Sequence, residues 1–309
     1  MSELPLVSPL DRVLFLRTRP DFVELDPAVL VAIANHTEER SYREGEEIFG
    51  ETDSDRHVHF LVEGTVRTTV VGETSFDVSS PGGVGLMREL ARSAEPGGAI
   101  ALTEVVSLRI EIESFLQVME DHFHLVLGLI RSFTDLISGA EEQLEIAPGG
   151  IVCVDCSEPD SDVSLDLVQK LSRARRAPLF QSANLTMLTE LLRGIPESYV
   201  ERDEWLFRAG QLPDTLHLVF EGAVRIENPS KTRVAYAGPG DLIALSDFCR
   251  DEPHSFGAVT ETPVQLLRID KSHYIDVLED HFDHALDLLA LLAQRHIELR
   301  SRLQTLSSD

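Results

Sequence analysis

The feature that most constrains the fold is an internal repeat. Three blocks of sequence occur twice, in the same order and at nearly the same spacing. The repeated blocks are 26–49 with 184–207, 58–67 (VHFLVEGTVR) with 216–225 (LHLVFEGAVR), and 119–123 (MEDHF) with 278–282 (LEDHF). The last block has a spacing one residue larger than the others, which indicates a one-residue difference in a loop. Such a pattern indicates a duplicated domain, so we expect two copies of one fold.

Each copy follows the same order of elements. In the first copy, Asp26 and Pro27 begin a stretch with helical spacing, and residues 58–71 are rich in β-branched side chains interrupted by a turn at Gly64. A Gly-rich loop, a further strand and a long helix follow. We therefore expect a mainly β fold with flanking α-helices, with short strands closing into a barrel or roll. We place domain 1 with its C-terminal helix at 10–145, a connecting segment at 146–171, and domain 2 with its helix at 172–306.

The final helix of each copy carries apolar residues in a heptad pattern. The first seam is Met119, Phe123, Val126, Ile130, Phe133, Ile137, Ala140 and Leu144, and the second is Leu278, Phe282, Ala285, Leu289, Leu292, His296, Leu299, Leu303 and Leu306. A seam of this length predicts an interface between helices. The two seams can pair within one chain as a pseudo-dimer or between two chains as a homodimer. The alternative is that each seam covers its own domain.

The charge of the chain bears on its partners. Asp and Glu number 53 against 27 Lys and Arg, a formal net charge of −26. Because such a surface repels phosphate backbones and anionic lipids, we expect neither DNA nor a membrane as a partner. No apolar run is long enough to span a bilayer, and the N-terminus lacks the pattern of a signal peptide. We expect a cytoplasmic protein.

Two groups of residues could suggest a metal or redox site. Cys153 and Cys156 form a CxxC pair, but they follow no strand of a thioredoxin-like unit and lack a second ligand pair. We interpret them as reduced thiols. The Asp-His pairs at 121–122, 280–281 and 283–284, together with His124, flank apolar seam positions and are interpreted as a solvated helix face. No metal is expected.

The repeated strand motifs resemble those of the cyclic-nucleotide-binding family, which includes catabolite activator proteins and the regulatory subunits of cyclic-nucleotide-dependent kinases. The matching segments are 44–49 (EGEEIF), 60–67 (FLVEGTVR), 205–207 (WLF) and 218–225 (LVFEGAVR). The resemblance implies two jelly-roll (double-stranded β-helix) domains, each closed by a long C-terminal helix. It also implies where a nucleotide would bind.

In the family, a loop of the form F-G-E-[LI]-A-L is followed by P-R-[AST]-A, and its Glu binds the ribose while its Arg binds the cyclic phosphate. By this resemblance the cassette of repeat 1 contains Arg88, Glu89 and Ala99, with Gly97 at the arginine position. Glu89 keeps the ribose-binding acid. Loss of the bidentate arginine removes a charge-assisted pair of several kcal/mol, roughly two to three decades of affinity. Arg88 or Arg92 is the alternative phosphate contact.

The cassette of repeat 2 departs from the motif at both positions. Asp247 occupies the acid position, His254 the arginine position, and Ser255 follows. A shorter acid and an imidazole are poor substitutes for the ribose and phosphate contacts. Both cassettes are therefore expected to be degenerate, with no cofactor bound. A cyclic nucleotide is the alternative ligand.

These observations favour a non-enzymatic regulatory or scaffold protein that acts through contacts with a protein partner, which the sequence does not name. One alternative is a cyclic-nucleotide sensor that signals through the C-terminal helices. Another is a structural component that oligomerises through them. No catalytic signature has the context it requires, and no helix-turn-helix follows the second seam before Asp309.

Overall fold

The computed structural model describes residues 8–23, 25–50, 56–70, 74–91, 97–148, 164–250 and 252–308. Arg92, Cys153 and Cys156 lie outside these residues. The chain divides into two compact units, of which unit 1 comprises 1–133 and 289–309 and unit 2 comprises 134–288. The domain bounds drawn from the sequence stay a prediction.

Repeat 1 contains five helices and eight strands among its described residues. The helices are α1 (Pro9–Leu16), α2 (Pro27–Asn35), α3 (Leu86–Leu90), α4 (Ile112–Asp121) and α5 (Phe123–Gln143). The strands are β1 (Glu38–Tyr42), β2 (Glu47–Phe49), β3 (His57–Glu63), β4 (Thr65–Val70), β5 (Thr74–Ser79), β6 (Gly83–Val84), β7 (Ala99–Ala101) and β8 (Val105–Glu111). As the sequence predicts, the Asp26 side chain caps α2 by accepting a hydrogen bond from Ala28 N at 2.7 Å.

The strands of repeat 1 form two four-stranded antiparallel sheets, in the orders β1-β8-β3-β6 and β2-β7-β4-β5. Apolar side chains from the two sheets pack into one core, formed by Ile48, Phe49, Leu61, Val66, Val84, Ala99, Ala101 and Val105. Strand β3 is buried at four of its seven residues, 58–61, and among these Phe60 packs against Phe22 and against Phe115 of α4. This arrangement is the predicted mainly β fold with flanking helices.

Repeat 2 has the same architecture. Its helices are α6 (Leu167–Ala174), α7 (Leu185–Leu192), α8 (Leu245–Arg250), α9 (Lys271–Asp280) and α10 (Phe282–Ser308), with a 3₁₀ turn at Pro178–Phe180. Its strands are β9 (Glu197–Val200), β10 (Trp205–Phe207), β11 (Thr215–Glu221), β12 (Val224–Glu227), β13 (Val234–Ala237), β14 (Leu242–Ile243), β15 (Gly257–Thr260) and β16 (Val264–Asp270). They form two antiparallel sheets in the orders β14-β11-β16-β9 and β10-β15-β12-β13 around a shared apolar core.

Strand register locates the one-residue difference between the copies. Val66 pairs with Val78 in unit 1, whereas the equivalent Val224 pairs with Ala237 in unit 2. The second interval is one residue longer, so the extra residue lies in the hairpin that joins β12 and β13. Beyond this hairpin the two copies stay in step.

The C-terminal helices differ from the prediction in one respect. Each is interrupted at a histidine: His122 separates α4 from α5, and His281 separates α9 from α10. Met119 and Leu278, the first residues of the two seams, therefore lie on the preceding helices. Seam residues farther along are buried, including Ile137 and Leu299. The pairing of the two seams stays a prediction.

The end of each C-terminal helix belongs to the unit of the other repeat. Residues 289–309, at the end of α10, are part of unit 1, where Gln294 Nε2 donates a hydrogen bond to Ala91 O at 3.0 Å. Residues from Thr134 onward, at the end of α5, are part of unit 2, where Asp135 lies 2.8 Å from the Arg250 guanidinium. Ala91 and Arg250 are equivalent positions of the repeat, and so are Gln294 and Asp135. The same two positions therefore meet in each unit.

Among the described residues, no helix combines the length and apolar character needed to cross a membrane.

Candidate functional site

The cassette helix of repeat 1 begins at a glycine with a backbone that other residues rarely adopt. Gly85 precedes α3 and has φ +99°. A Cβ at this position would lie 2.3 Å from His57 O. Any side chain would therefore clash with β3, so glycine sets how closely the cassette approaches the sheet.

The carboxylate of Glu89 is already bound by two guanidinium groups. Arg56 Nε donates to Glu89 Oε2 at 2.7 Å, and Arg88 Nη2 donates to Glu89 Oε1 at 3.0 Å. The Arg88 guanidinium also lies over the Phe49 ring, 4.5 Å from its centroid. The Glu89 and Arg88 side chains are only 12% and 10% exposed. The structure thus brings the predicted residues Arg88 and Glu89 together. They form an ion pair with each other, and this pair occupies the groups that the sequence assigns to a ligand.

The remaining predicted residue of repeat 1 has a structural position. Ala99 is fully buried in the core of unit 1, where β7 pairs with β2 and β4. Gly97, at the expected arginine position, is buried and contributes no charge. Thr69 N donates to Gly98 O at 2.8 Å, which continues the pairing of this strand toward Gly97.

In repeat 2 the two predicted cassette residues form a pair. His254 Nδ1 lies 2.9 Å from Asp247 Oδ2, and the imidazole is stacked on Phe207 with ring centroids 3.9 Å apart. The backbone of His254 is fixed by hydrogen bonds with Gly210 and Gln211. Ser255, the third predicted residue, is exposed.

The two cassettes share one arrangement although their residues differ. Phe49 and Phe207 are equivalent positions of the repeat, and each carries a basic side chain on its face. That side chain is Arg88 in repeat 1 and His254 in repeat 2, and each binds the nearby cassette carboxylate. In both units an internal pair therefore occupies the carboxylate that the sequence predicts for ribose binding.

A buried histidine lies beside each of these phenylalanines. His59 is 6.1 Å from Phe49 and His217 is 5.7 Å from Phe207, measured between ring centroids. Burial, with a smaller contribution from neighbouring positive charges, lowers the pKa of His59 to about 3 and the pKa of His217 to about 4. Both imidazoles are neutral at pH 7, so neither supplies a cation for a phosphate.

The structure shows a feature of the cassette that sequence reasoning missed. Ala244, the equivalent of Gly85, also has positive φ, at +73°. Gly85 directly precedes α3 and Ala244 directly precedes α8, and both have the positive φ that glycine adopts most readily. If they are the glycine of the F-G-E motif, the acid position is filled by Leu86 and Leu245, and neither cassette keeps its acid. An alignment of the two copies at the larger repeat spacing, 159 residues, places Ala244 opposite Gly85 and would have revealed this second alignment of the motif.

Other candidate groups have ordinary partners. His281 Nε2 contacts Glu190 Oε2 at 3.0 Å. The predicted solvated helix face is wrong for His284, which is only 3% exposed because its ring is stacked on Phe180. Within the part of the chain that the structure describes, no three His, Cys, Asp or Glu residues are grouped as a metal site. Burial raises the pKa of the Cys249 thiol to about 12, so this thiol stays protonated at neutral pH.

Comparison with known proteins identifies the fold. A family model described as cyclic nucleotide-binding domain matches residues 39–122 and 197–281, more than half of the chain. A search of curated proteins gave no significant match.

Three solved structures are among those similar to this chain. The regulatory subunit of a cAMP-independent protein kinase A from Trypanosoma brucei shares 12% identity over 89% of each chain, with a TM-score of 0.34. The regulatory domain of Toxoplasma gondii PKA, crystallised with cAMP, shares 11% identity over 89% of this chain and 95% of that one, with a TM-score of 0.34. The sensor domain of the transcriptional regulator DNR from Pseudomonas aeruginosa shares 24% identity over 40% of this chain and 91% of that one, with a TM-score of 0.37.

Proposed function

Because the chain belongs to the cyclic nucleotide-binding domain family, we propose that it is a non-enzymatic regulatory protein of the cytoplasm that acts through contacts with a partner protein. In this proposal both nucleotide cassettes are closed to cyclic nucleotides. The supporting observation is that each cassette carboxylate is already bound by a basic side chain of its own unit. Arg88 binds Glu89, and His254 binds Asp247.

Energetics support closed cassettes. A nucleotide that used Glu89 for its ribose would have to displace Arg88 from a contact that is largely buried. Breaking such a pair costs free energy, because it leaves a charged group without its partner. The ligand would gain no compensating phosphate contact at Gly97. In repeat 2, the residue that the motif comparison assigns to the arginine position is His254, and its imidazole is stacked on Phe207.

The alternative is a cyclic-nucleotide sensor. One observation favours it: repeat 1 retains a guanidinium, Arg88, within its cassette and beside Glu89. If Arg88 turned from Glu89 to a phosphate, both charges would gain ligand contacts. This alternative makes a direct prediction about ligand-dependent stability.

A thermal-shift titration with cAMP, cGMP and cyclic dinucleotides tests the proposal. A ligand at 100 times its dissociation constant stabilises the folded state by about 2.7 kcal/mol, which gives a clear shift. We expect no shift with any of these nucleotides. A shift that disappears in Glu89→Ala would establish the sensor instead. The matched control is Glu113→Ala, because Glu113 also binds Arg56, at 3.1 Å, but lies outside the cassette.

A further inference from the structure

The outer face of one sheet in unit 2 carries exposed aromatic side chains. Across the sheet β10-β15-β12-β13, strand register places Trp205, Val259, Arg225 and Tyr236 in one row. Trp205 is 37% exposed and Tyr236 is 44% exposed, and the adjacent Val234 is 42% exposed. We call these residues, together with Arg208, the aromatic face.

The equivalent row in unit 1 is charged at three of its four positions. It consists of Glu47, Ile100, Arg67 and Asp77, aligned by the same register. Arg67 and Asp77 form a bidentate ion pair with distances of 2.8 and 2.9 Å. The fold therefore does not require aromatic residues at these positions. Repeat 2 has aromatic residues where repeat 1 has the charged residues Glu47 and Asp77.

The aromatic face contains two arginines, and among the described residues only one of them has carboxylate partners. Arg225, in the middle of the row, binds Glu227 and Glu261. Arg208 is exposed and lies over the Trp205 ring, 4.4 Å from its centroid. Among the described residues, no carboxylate lies within ion-pair distance of Arg208. In a chain with a net charge of −26, this leaves one local positive charge beside an exposed indole.

We propose that the aromatic face is the docking surface for a partner protein that presents apolar side chains and one carboxylate placed to pair with Arg208. Trp, Tyr and Arg are the residues that contribute most to protein interfaces, and exposed apolar patches mark such sites. A carboxylate of the partner would complete the charge balance of the face. If a second copy of this chain packed its aromatic face against the first, it would bring another Arg208 to the interface. It would not bring the carboxylate that Arg208 needs as a partner.

This inference rests on the proposed function, because a protein that acts through contacts needs a contact surface. The two can fail separately. The nucleotide titration tests the cassettes, whereas the experiment below tests the outer face of the sheet.

The experiment selects peptides from a random phage-displayed library with the full chain as bait, and then measures their affinities by fluorescence anisotropy. Trp205 is the only tryptophan in the chain, so its emission reports binding at this face. We expect the selected peptides to combine Asp or Glu with aromatic or aliphatic residues. Tyr236→Ala and Trp205→Ala should each weaken binding about tenfold or more. Ile100→Ala, at the matched row of unit 1, should leave the affinity unchanged.

A charge exchange tests the role of Arg208. Arg208→Glu should weaken binding, and replacing the acidic residue of the peptide by lysine should restore it. The proposal is overturned if no peptide is enriched, or if the enriched peptides bind the Trp205→Ala and Tyr236→Ala variants as well as the parent chain.

Two other occupants of the face would give different results. A mass that rises with concentration, and does so only while Trp205 is present, would assign the face to a second copy. A shift in Trp205 emission when Asp155, Glu158, Asp160 and Asp162 are replaced by their amides would assign it to the connecting segment of this chain. Either result would overturn the proposal.

Discussion

Nδ1 of His254 lies 2.9 Å from Oδ2 of Asp247, and the imidazole is stacked on Phe207. The His254 side chain is only 3% exposed, so its partner cannot be replaced freely by water. We expect Asp247→Ala to lower the free energy of unfolding by about 1–3 kcal/mol, the cost of leaving a buried polar group without its hydrogen bond. Urea unfolding at pH 7 measures this change.

A double-mutant cycle separates the pair from the individual side chains. If the contact is energetically real, the effects of Asp247→Ala and His254→Ala should differ from additivity by about 0.5–3 kcal/mol. Strict additivity would show that the pair contributes nothing to stability and would weaken the argument that it closes the cassette.

The buried histidines predict a loss of stability in mild acid. The pKa of His217 is lowered by burial to about 4, well below the ordinary value of 6.5. In the unfolded chain this imidazole takes up a proton near pH 6.5, whereas in the folded chain it does so only near pH 4. The stabilising contribution is therefore complete above pH 6.5 and is lost as the pH falls from 6.5 toward 4, with a total of a few kcal/mol.

Thermal unfolding between pH 7 and pH 4.5 checks this prediction. His217→Leu should reduce the dependence on pH, because the group that takes up the proton is gone. His124→Gln is the control, since His124 is exposed on α5. An unchanged slope in His217→Leu would contradict the assignment.

The start of each cassette helix provides a matched pair of substitutions. Ala244 has φ +73°, a conformation that is strained for any residue with a Cβ. We expect Ala244→Gly to stabilise the protein by about 0.5–1 kcal/mol, because the released strain exceeds the entropy that glycine adds to the unfolded chain. Gly85→Ala should do the opposite and by more, since its Cβ would lie 2.3 Å from His57 O. Denaturant midpoints of the two variants should shift in opposite directions.

The repeat and the alternation of apolar residues were enough to predict the duplicated β fold, its capped helix at Asp26 and its C-terminal helices. Strand β1 (EERSY) was not predicted, because its residues are polar and mostly exposed, and only its pairing with β8 makes it a strand. The break at His122 was also missed, since the heptad spacing continues through it. The spacing of apolar residues predicts which side chains are buried, but it does not predict where a helix is interrupted.

Sequence reasoning identified the cassette residues but not their contacts. Neither Arg56 nor Phe49 belongs to the cassette motif, yet they bind Glu89 and Arg88. These contacts join positions more than thirty residues apart in the sequence. Only the fold brings such residues together, so the internal pairing of each cassette could not be inferred from the motif alone.

The division of the chain into units predicts its mass in solution. Unit 1 is completed by residues 289–309 of the same chain. We therefore expect a monomer of 34.3 kDa at all concentrations tested, measured by light scattering after size exclusion. A mass that doubles with concentration, in Trp205→Ala as well as in the parent chain, would show instead that two chains exchange these helix ends, as the homodimer alternative requires.

The contacts of Ala91 with Gln294 and of Arg250 with Asp135 have a consequence for how the protein can change. In an assembly of identical chains, one substitution alters every copy of a contact at once. Here each contact is encoded by its own pair of codons, and the two have already diverged: one joins an amide to a carbonyl, and the other is an ion pair. A substitution at Asp135 removes the ion pair from unit 2 and leaves the contact in unit 1 as it was. Duplication within one gene therefore lets selection adjust the two halves independently.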